Sequence, residues 1–128
     1  MEKIYTQKAP KPAGHYSQAV VHDGIVYVSG QLAIVPGTGE KILGPIEEQT
    51  GQVLLNMKEI LESAGSGIEH VLKVTVYVSD IAHWDKVNEV YAGFFGSHKP
   101  ARAVVPVKEL HFGFMVEMDC IAVVPRGE

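Results

Sequence analysis

The chain has 128 residues, 46% of them hydrophobic and 20% charged, with a formal net charge of −4. That length fits one domain over residues 1–128, able to bury a core without disulfide or metal staples. The negative balance excludes a basic nucleic-acid face: the lysines are scattered from Lys3 to Lys108 and the arginines are Arg102 and Arg126. Cys120 is the single cysteine, which excludes an internal disulfide and points to a reducing compartment. The first residues, Met1-Glu-Lys-Ile-Tyr-Thr-Gln-Lys, have no apolar core of a signal peptide. No apolar run approaches the ~18 residues needed to cross a bilayer. The expectation is a soluble, cytoplasmic protein.

Residues 2–6 read as a first strand, followed by the Pro- and Gly-broken loop Lys8 to Gly14. Gln18–His22 and Ile25–Ser29 are β-rich runs joined by Asp23-Gly24, whose residues both tolerate the positive φ of a tight hairpin. Pro36-Gly-Thr-Gly39 is another turn. Glu47 to Ala64 predicts a helix, with Val53, Met57, Ile60, Leu61 and Ala64 on one stripe. Glu47 and Glu48 suit its N-terminal dipole and Gly65 its C-terminal end.

Val71–Val78 predicts a strand with Leu72, Val74, Val76 and Val78 on one face and Lys73, Thr75 and Tyr77 on the other. Asp80 is a candidate N-cap for a second helix running to about Gly96, with Trp84, Val87, Tyr91, Phe94 and Phe95 as its stripe. Ala101–Val107 and Met115–Val124 close the chain as strands; Pro106 makes the first of them an edge strand or bulged. The order βββ-α-β-α-ββ predicts an α+β fold with two helices packed on one sheet face. The other face still carries Val and Ile, and further copies of the chain are the simplest cover for it.

Arg102 stands among small and apolar neighbours, where a lone guanidinium is costly to bury. It reads either as a bidentate clamp for a carboxylate or as a solvated charge that blunts an edge strand. Glu117 and Asp119 share one strand face, either as an acid/base pair positioning water or as the wet side of a half-buried strand. Tyr16-Ser17-Gln18 follows a loop and Ser29-Gly30-Gln31 ends a strand; both are places for binding groups or for ordinary turn chemistry. Asn88, a poor helix former inside the second helix, has a specific bond to make. His15, His22, His70, His83, His98 and His111 show no metal-ligand spacing, and Cys120 reads as a buried thiol. No nucleophile elbow, phosphate loop or dinucleotide fingerprint occurs.

Gly14-His-Tyr-Ser-Gln-Ala19, Val28-Ser-Gly-Gln31, Glu48-Gln-Thr50 with Asn56, Lys73-Val-Thr-Val76, Val87-Asn-Glu-Val-Tyr91, Pro100-Ala-Arg102 and Val116-Glu117 together resemble the signature of the RidA/YjgF family, in order and across essentially the whole chain. The resemblance implies a chorismate-mutase-like six-stranded mixed sheet with two helices on one face. It also implies a homotrimer with clefts lined by two chains. The implied reaction is cofactor-independent hydrolysis of 2-aminoacrylate and related enamine/imine acids to 2-keto acids and ammonia.

By position, Arg102 matches the carboxylate clamp and Glu117 the carboxylate tied to the attacking water. Tyr16, Ser29 and the Gly30 backbone match pocket residues, and Asn88 an asparagine near the site. Val104 stands where cysteine is frequent and keeps the N–H that faces the ligand. No metal is implied. The chain departs from the family at His15 and His111, where proline is frequent, and its His111-Phe-Gly-Phe114 loop is more aromatic; the expectation is an altered substrate choice. The rivals are a non-catalytic sensor of small carboxylates, which needs the clamp but not Glu117, and an RNA-cleaving translation inhibitor, which the acidic balance opposes.

Overall fold

The computed structural model describes residues 1–126. The strands are β1 (Glu2–Ile4), β2 (Ala19–His22), β3 (Ile25–Gln31), β4 (Val71–Val78), β5 (Ala101–Pro106) and β6 (Val116–Val123), and the helices α1 (Ile46–Ser63) and α2 (Trp84–Phe95). They form one mixed sheet in the order β1-β2-β3-β6-β4-β5. β4 and β5 are parallel and joined through α2; every other pairing is antiparallel. This is the expected α+β architecture.

Local chemistry sets the joints. Asp23 and Gly24 both hold positive φ, 51° and 76°, which matches the twist of a two-residue hairpin between β2 and β3. α1 starts behind Pro45 with Glu47 and Glu48 in its first turn, and left-handed Gly65 follows its end. Val53, Leu54, Met57, Ile60 and Leu61 are fully buried against Val26, Val28, Val74, Val76, Val78 and Met118. Val87, Tyr91 and Phe95 seat α2 on the same sheet face.

Four expectations need correction. Leu72 does not share the inward face. The register of β4 against β6 shifts between Val71 and Lys73, so Val71 is buried and Leu72 is 47% exposed. Asp80 does not cap α2. Its carboxylate accepts from the Ala82 N–H at 2.8 Å and caps a 3₁₀ turn, Ile81–His83, that precedes the helix. Trp84 is not core; it opens α2 and is 38% exposed. β1 is also shorter than predicted, ending at Ile4.

β5 is an edge strand as expected. The Val107 N–H donates to the Val78 carbonyl at 2.8 Å, so by alternation the backbones of Arg102, Val104 and Pro106 face the free edge. Pro106 lacks an N–H where none is needed for the ladder.

Buried amides hold the loops that the site depends on. Gln18 accepts from the Thr6 N–H at 2.7 Å and donates to the Thr6 and Pro10 carbonyls at 3.0 and 2.9 Å. Gln49 accepts from the Met115 N–H at 2.9 Å and donates to the Gly44 carbonyl at 3.1 Å. Fully buried Asn56 donates to the carbonyls of Leu32 and Ile34 at 3.1 and 2.9 Å. Asn56→Leu strands those two carbonyls and is expected to cost about 2–3 kcal/mol. Urea unfolding measures it, and a loss under about 0.5 kcal/mol contradicts the assignment.

Candidate functional site

The predicted site residues fall into two groups on opposite faces of the sheet. The first surrounds Glu117. On β6 the residues Val116, Met118, Cys120 and Ala122 turn toward the helices, so Glu117, Asp119 and Ile121 turn toward the uncovered face. Glu117 pairs in register with Tyr77 of β4, and on its other side it presses on Gly30 of β3. A Cβ at Gly30 would collide with Glu117 Oε2 and lie 3.1 Å from its Cδ. The glycine is what lets the carboxylate lie against the backbone.

Half-buried Glu117 has its pKa raised, first by desolvation, then by the neighbouring charge of Asp119; His111 pulls the other way. Asp119 accepts the Tyr77 hydroxyl at 3.0 Å, and that bond is the main reason the Tyr77 phenol is raised. A carboxyl that binds its proton more tightly when folded stabilises below the unfolded pKa, and that contribution is lost as pH rises through the folded one. Glu117→Gln is therefore expected to raise the thermal midpoint over the parent more at pH 8 than at pH 4. Scanning calorimetry at the two pH values checks this, and an equal or reversed difference contradicts it.

Ser29 precedes Gly30 in the chain, and Tyr16 shares a cavity with Gly30. The Ser29 hydroxyl donates to the Ser17 carbonyl at 2.6 Å and its N–H to the Gln18 carbonyl at 3.0 Å, tying β3 to the Tyr16 loop. The Tyr16 hydroxyl accepts from the Ala13 N–H at 3.1 Å, leaving its ring 48% exposed. Tyr16, Gly30, Gln31, Ile34, His111 and Phe112 line one cavity. His111 stacks on Phe112 with centroids 3.6 Å apart, and Lys41 Nζ lies 4.6 Å from the Phe112 ring centre. Phe112 holds the left-handed region at φ 61°, a strained choice for a bulky residue. His15 is exposed beside Tyr16 and Ser17.

The second group lies on the helix side of β5. Arg102 Nη1 donates to Asn88 Oδ1 of α2 at 2.9 Å. Its guanidinium carbon is 4.8 Å from the Tyr91 ring centre and 5.4 Å from that of Trp84. Among the described residues no carboxylate pairs with it. Val104 follows on the same side, its N–H at the free edge.

One chain does not unite the groups. β6 and β5 are separated by β4, so their backbones stand roughly 10 Å apart, and Glu117 and Arg102 leave the sheet in opposite directions. The sequence marks out Arg102 and Asn88 and gives Trp84 and Tyr91 only as members of the apolar stripe of α2, which holds for buried Tyr91 but not for Trp84. The available signal was the spacing of Trp84, Asn88 and Tyr91, which puts all three on one helix face.

Residues 6–124 match the family described as Endoribonuclease L-PSP. The chain belongs to that family, the RidA/YjgF family. It is 42% identical to human 2-iminobutanoate/2-iminopropanoate deaminase over 120 residues, which cover 94% of this chain and 88% of the human one. The YjgF gene product of Escherichia coli superposes with a TM-score of 0.93 at 35% identity, covering 98% of this chain and all of that one. TdcF of E. coli, solved with bound serine, superposes with a TM-score of 0.92 at 35% identity over 96% of this chain and 98% of TdcF. Family membership thus accounts for the six-stranded sheet and the two helices on one face. Among the described residues no helix is long and apolar enough to cross a membrane.

Proposed function

We propose that this protein hydrolyses 2-aminoacrylate-type enamine and imine acids to 2-keto acids and ammonia, in clefts that two copies of a cytoplasmic homotrimer build together. The observation that carries the reading is the pair of incomplete half-sites. One chain offers a guanidinium without a carboxylate partner among the described residues, and it offers on the opposite face a carboxyl whose proton affinity is raised. The uncovered sheet face, with Tyr27, Val105 and Ile121 all 36% exposed or more, supplies a surface for packing copies together. The names of the human relative, which acts on 2-iminobutanoate and 2-iminopropanoate, and of serine-bound TdcF support a small amino-acid-derived carboxylate as substrate.

Arg102 of one copy clamps the substrate carboxylate, with Asn88 fixing its fork and the Val104 N–H beside it. The partner copy presents Glu117, with Ser29, the Gly30 backbone and Tyr16 around the substrate. The imine carbon is already electrophilic, so orientation and proton transfer are the work left. Glu117 takes a proton from water as its oxygen bonds to that carbon. The C=N pair moves to the nitrogen, which takes that proton to give the carbinolamine; as it collapses, the hydroxyl proton passes through Glu117 to the nitrogen, the C–N bond breaks, the carbonyl forms and ammonia leaves. No cofactor or metal is needed for these steps. A sensor of carboxylates has no use for a base opposite its clamp. An RNA-cleaving role is opposed by the net charge of −4 and the absence of a basic stripe.

The deciding experiment follows keto-acid release from 2-aminoacrylate generated enzymatically in the same vessel. Release faster than the spontaneous rate is expected, and a folded protein that gives no acceleration sinks the proposal. His15 and His111 lie beside the Tyr16 and Gly30 pocket and are assigned to substrate selection. His15→Pro and His111→Pro are expected to reorder the relative rates on imines of differing side chain. An unchanged ranking in both variants removes that assignment.

A further inference from the structure

Arg102 is unusual in how it is held. It makes one side-chain hydrogen bond among the described residues, to Asn88, and uses one of five guanidinium N–H donors. The remaining support is aromatic. The guanidinium carbon sits 4.8 Å from the Tyr91 ring centre and 5.4 Å from that of Trp84. Both distances are within cation–π range.

The Tyr91 ring is itself fixed, and the backbone places Trp84 one turn before Asn88. Tyr91 is 6% exposed and packs on Phe95 with centroids 4.6 Å apart. Trp84 is the first residue of α2, delivered there by the 3₁₀ turn that Asp80 caps. Trp84, Asn88 and Tyr91 stand at i, i+4 and i+7, so one helix face presents indole, amide and phenol rings to one guanidinium.

We infer that Trp84 and Tyr91 are positioning residues for Arg102, forming an aromatic cradle that fixes its plane without consuming its donors, so that the free fork is reserved for an incoming carboxylate. This rests on Arg102 being the carboxylate clamp. A carboxylate partner would neutralise the guanidinium and compete with the ligand, whereas rings attract the cation and leave its N–H edge open. The Tyr91 phenol has its pKa pushed up to about 12 by burial, so the cradle stays neutral across the working pH range. Its hydroxyl has no hydrogen-bond partner among the described residues, which leaves the ring as the contributing part of the side chain. Lysine in place of Arg102 has no planar face to lie against the rings and no fork to offer.

The test is a set of double-mutant cycles on the assembled protein, read by calorimetric binding of pyruvate and by steady-state kinetics on an imine acid. Trp84→Leu and Tyr91→Leu are each expected to weaken pyruvate binding about threefold to thirtyfold. KM rises by a similar factor and kcat changes less than twofold. Tyr91→Phe keeps the ring and brings affinity back to within threefold of the parent. On an Arg102→Lys background the leucine substitutions change binding less than twofold, because no planar fork is left for the rings to orient.

Equal losses on the Arg102 and Lys backgrounds overturn the cradle, as does a fall in kcat with affinity intact. Pyruvate binding indifferent to Arg102→Lys overturns it too. If Tyr91→Leu does not fold, Trp84→Leu at the exposed rim carries the cycle alone. A parent that binds pyruvate through Arg102 but hydrolyses no imine supports the cradle while overturning the deaminase reading, so the two failures are distinguishable.

Discussion

Chains carrying Arg102→Ala and chains carrying Glu117→Gln are each expected to be nearly inactive alone and to regain activity when mixed. Truncating Arg102 removes a charge-assisted clamp and is expected to lower kcat/KM on an imine acid by about 10²- to 10³-fold, mostly through KM. Glu117→Gln removes the proton acceptor while keeping the shape, and is expected to lower kcat by about 10²- to 10⁴-fold. The two side chains leave opposite faces of the sheet on strands separated by β4. If the site takes its arginine from one copy and its carboxylate from the next, random co-assembly of the two variants makes about one site in four intact, one half chance multiplied by another. Co-expression followed by an activity assay measures this. Activity near a quarter of the parent supports sites shared between copies. Mixtures as inactive as the single variants place the site within one chain and remove the proposed cleft.

Much of this arrangement is legible in the amino-acid order, and the exceptions have physical causes. The helices announce themselves by apolar spacing, and the β2–β3 hairpin by Asp23-Gly24, because both signals are local. The inward face of β4 fails at Leu72 because a register shift against β6 reverses the alternation there, and a bulge is a property of two strands, not of one.

Asp80 has the right chemistry for a cap, yet it caps a 3₁₀ turn, since Asp at such a position satisfies whichever N–H lies two residues on. Gln18, Gln49 and Asn56 stand within the motifs that carry the family resemblance, but residue order alone does not give their partners; burial turns them into staples whose partners lie in other elements. Arg102 and Asn88 were visible as misfits in their surroundings. Trp84 and Tyr91 were not, because an aromatic at helical spacing has the same signature whether it fills a core or lies beside a cation.

Gly30→Ala is expected to damage activity far more than stability, and the reason lies in which atom it displaces. The backbone of Gly30 does not occupy the left-handed region, so alanine meets no conformational penalty there. Its Cβ collides with Glu117 Oε2, the far end of a flexible side chain, and that end can swing away at small cost to the fold. The swing removes the carboxylate from the place where the folded chain holds it, and a displacement of about 1 Å at a reacting group costs on the order of 10²-fold in rate. Kinetics and calorimetry on one preparation should therefore give kcat lowered about 10²-fold, with a thermal midpoint within a few degrees of the parent. Combining Gly30→Ala with Glu117→Gln should add little to the loss from Glu117→Gln alone, because both act on the same carboxylate. Full additivity, or a collapse of the midpoint with the rate, means that Gly30 serves the fold, and that its contact with Glu117 is not what positions the base.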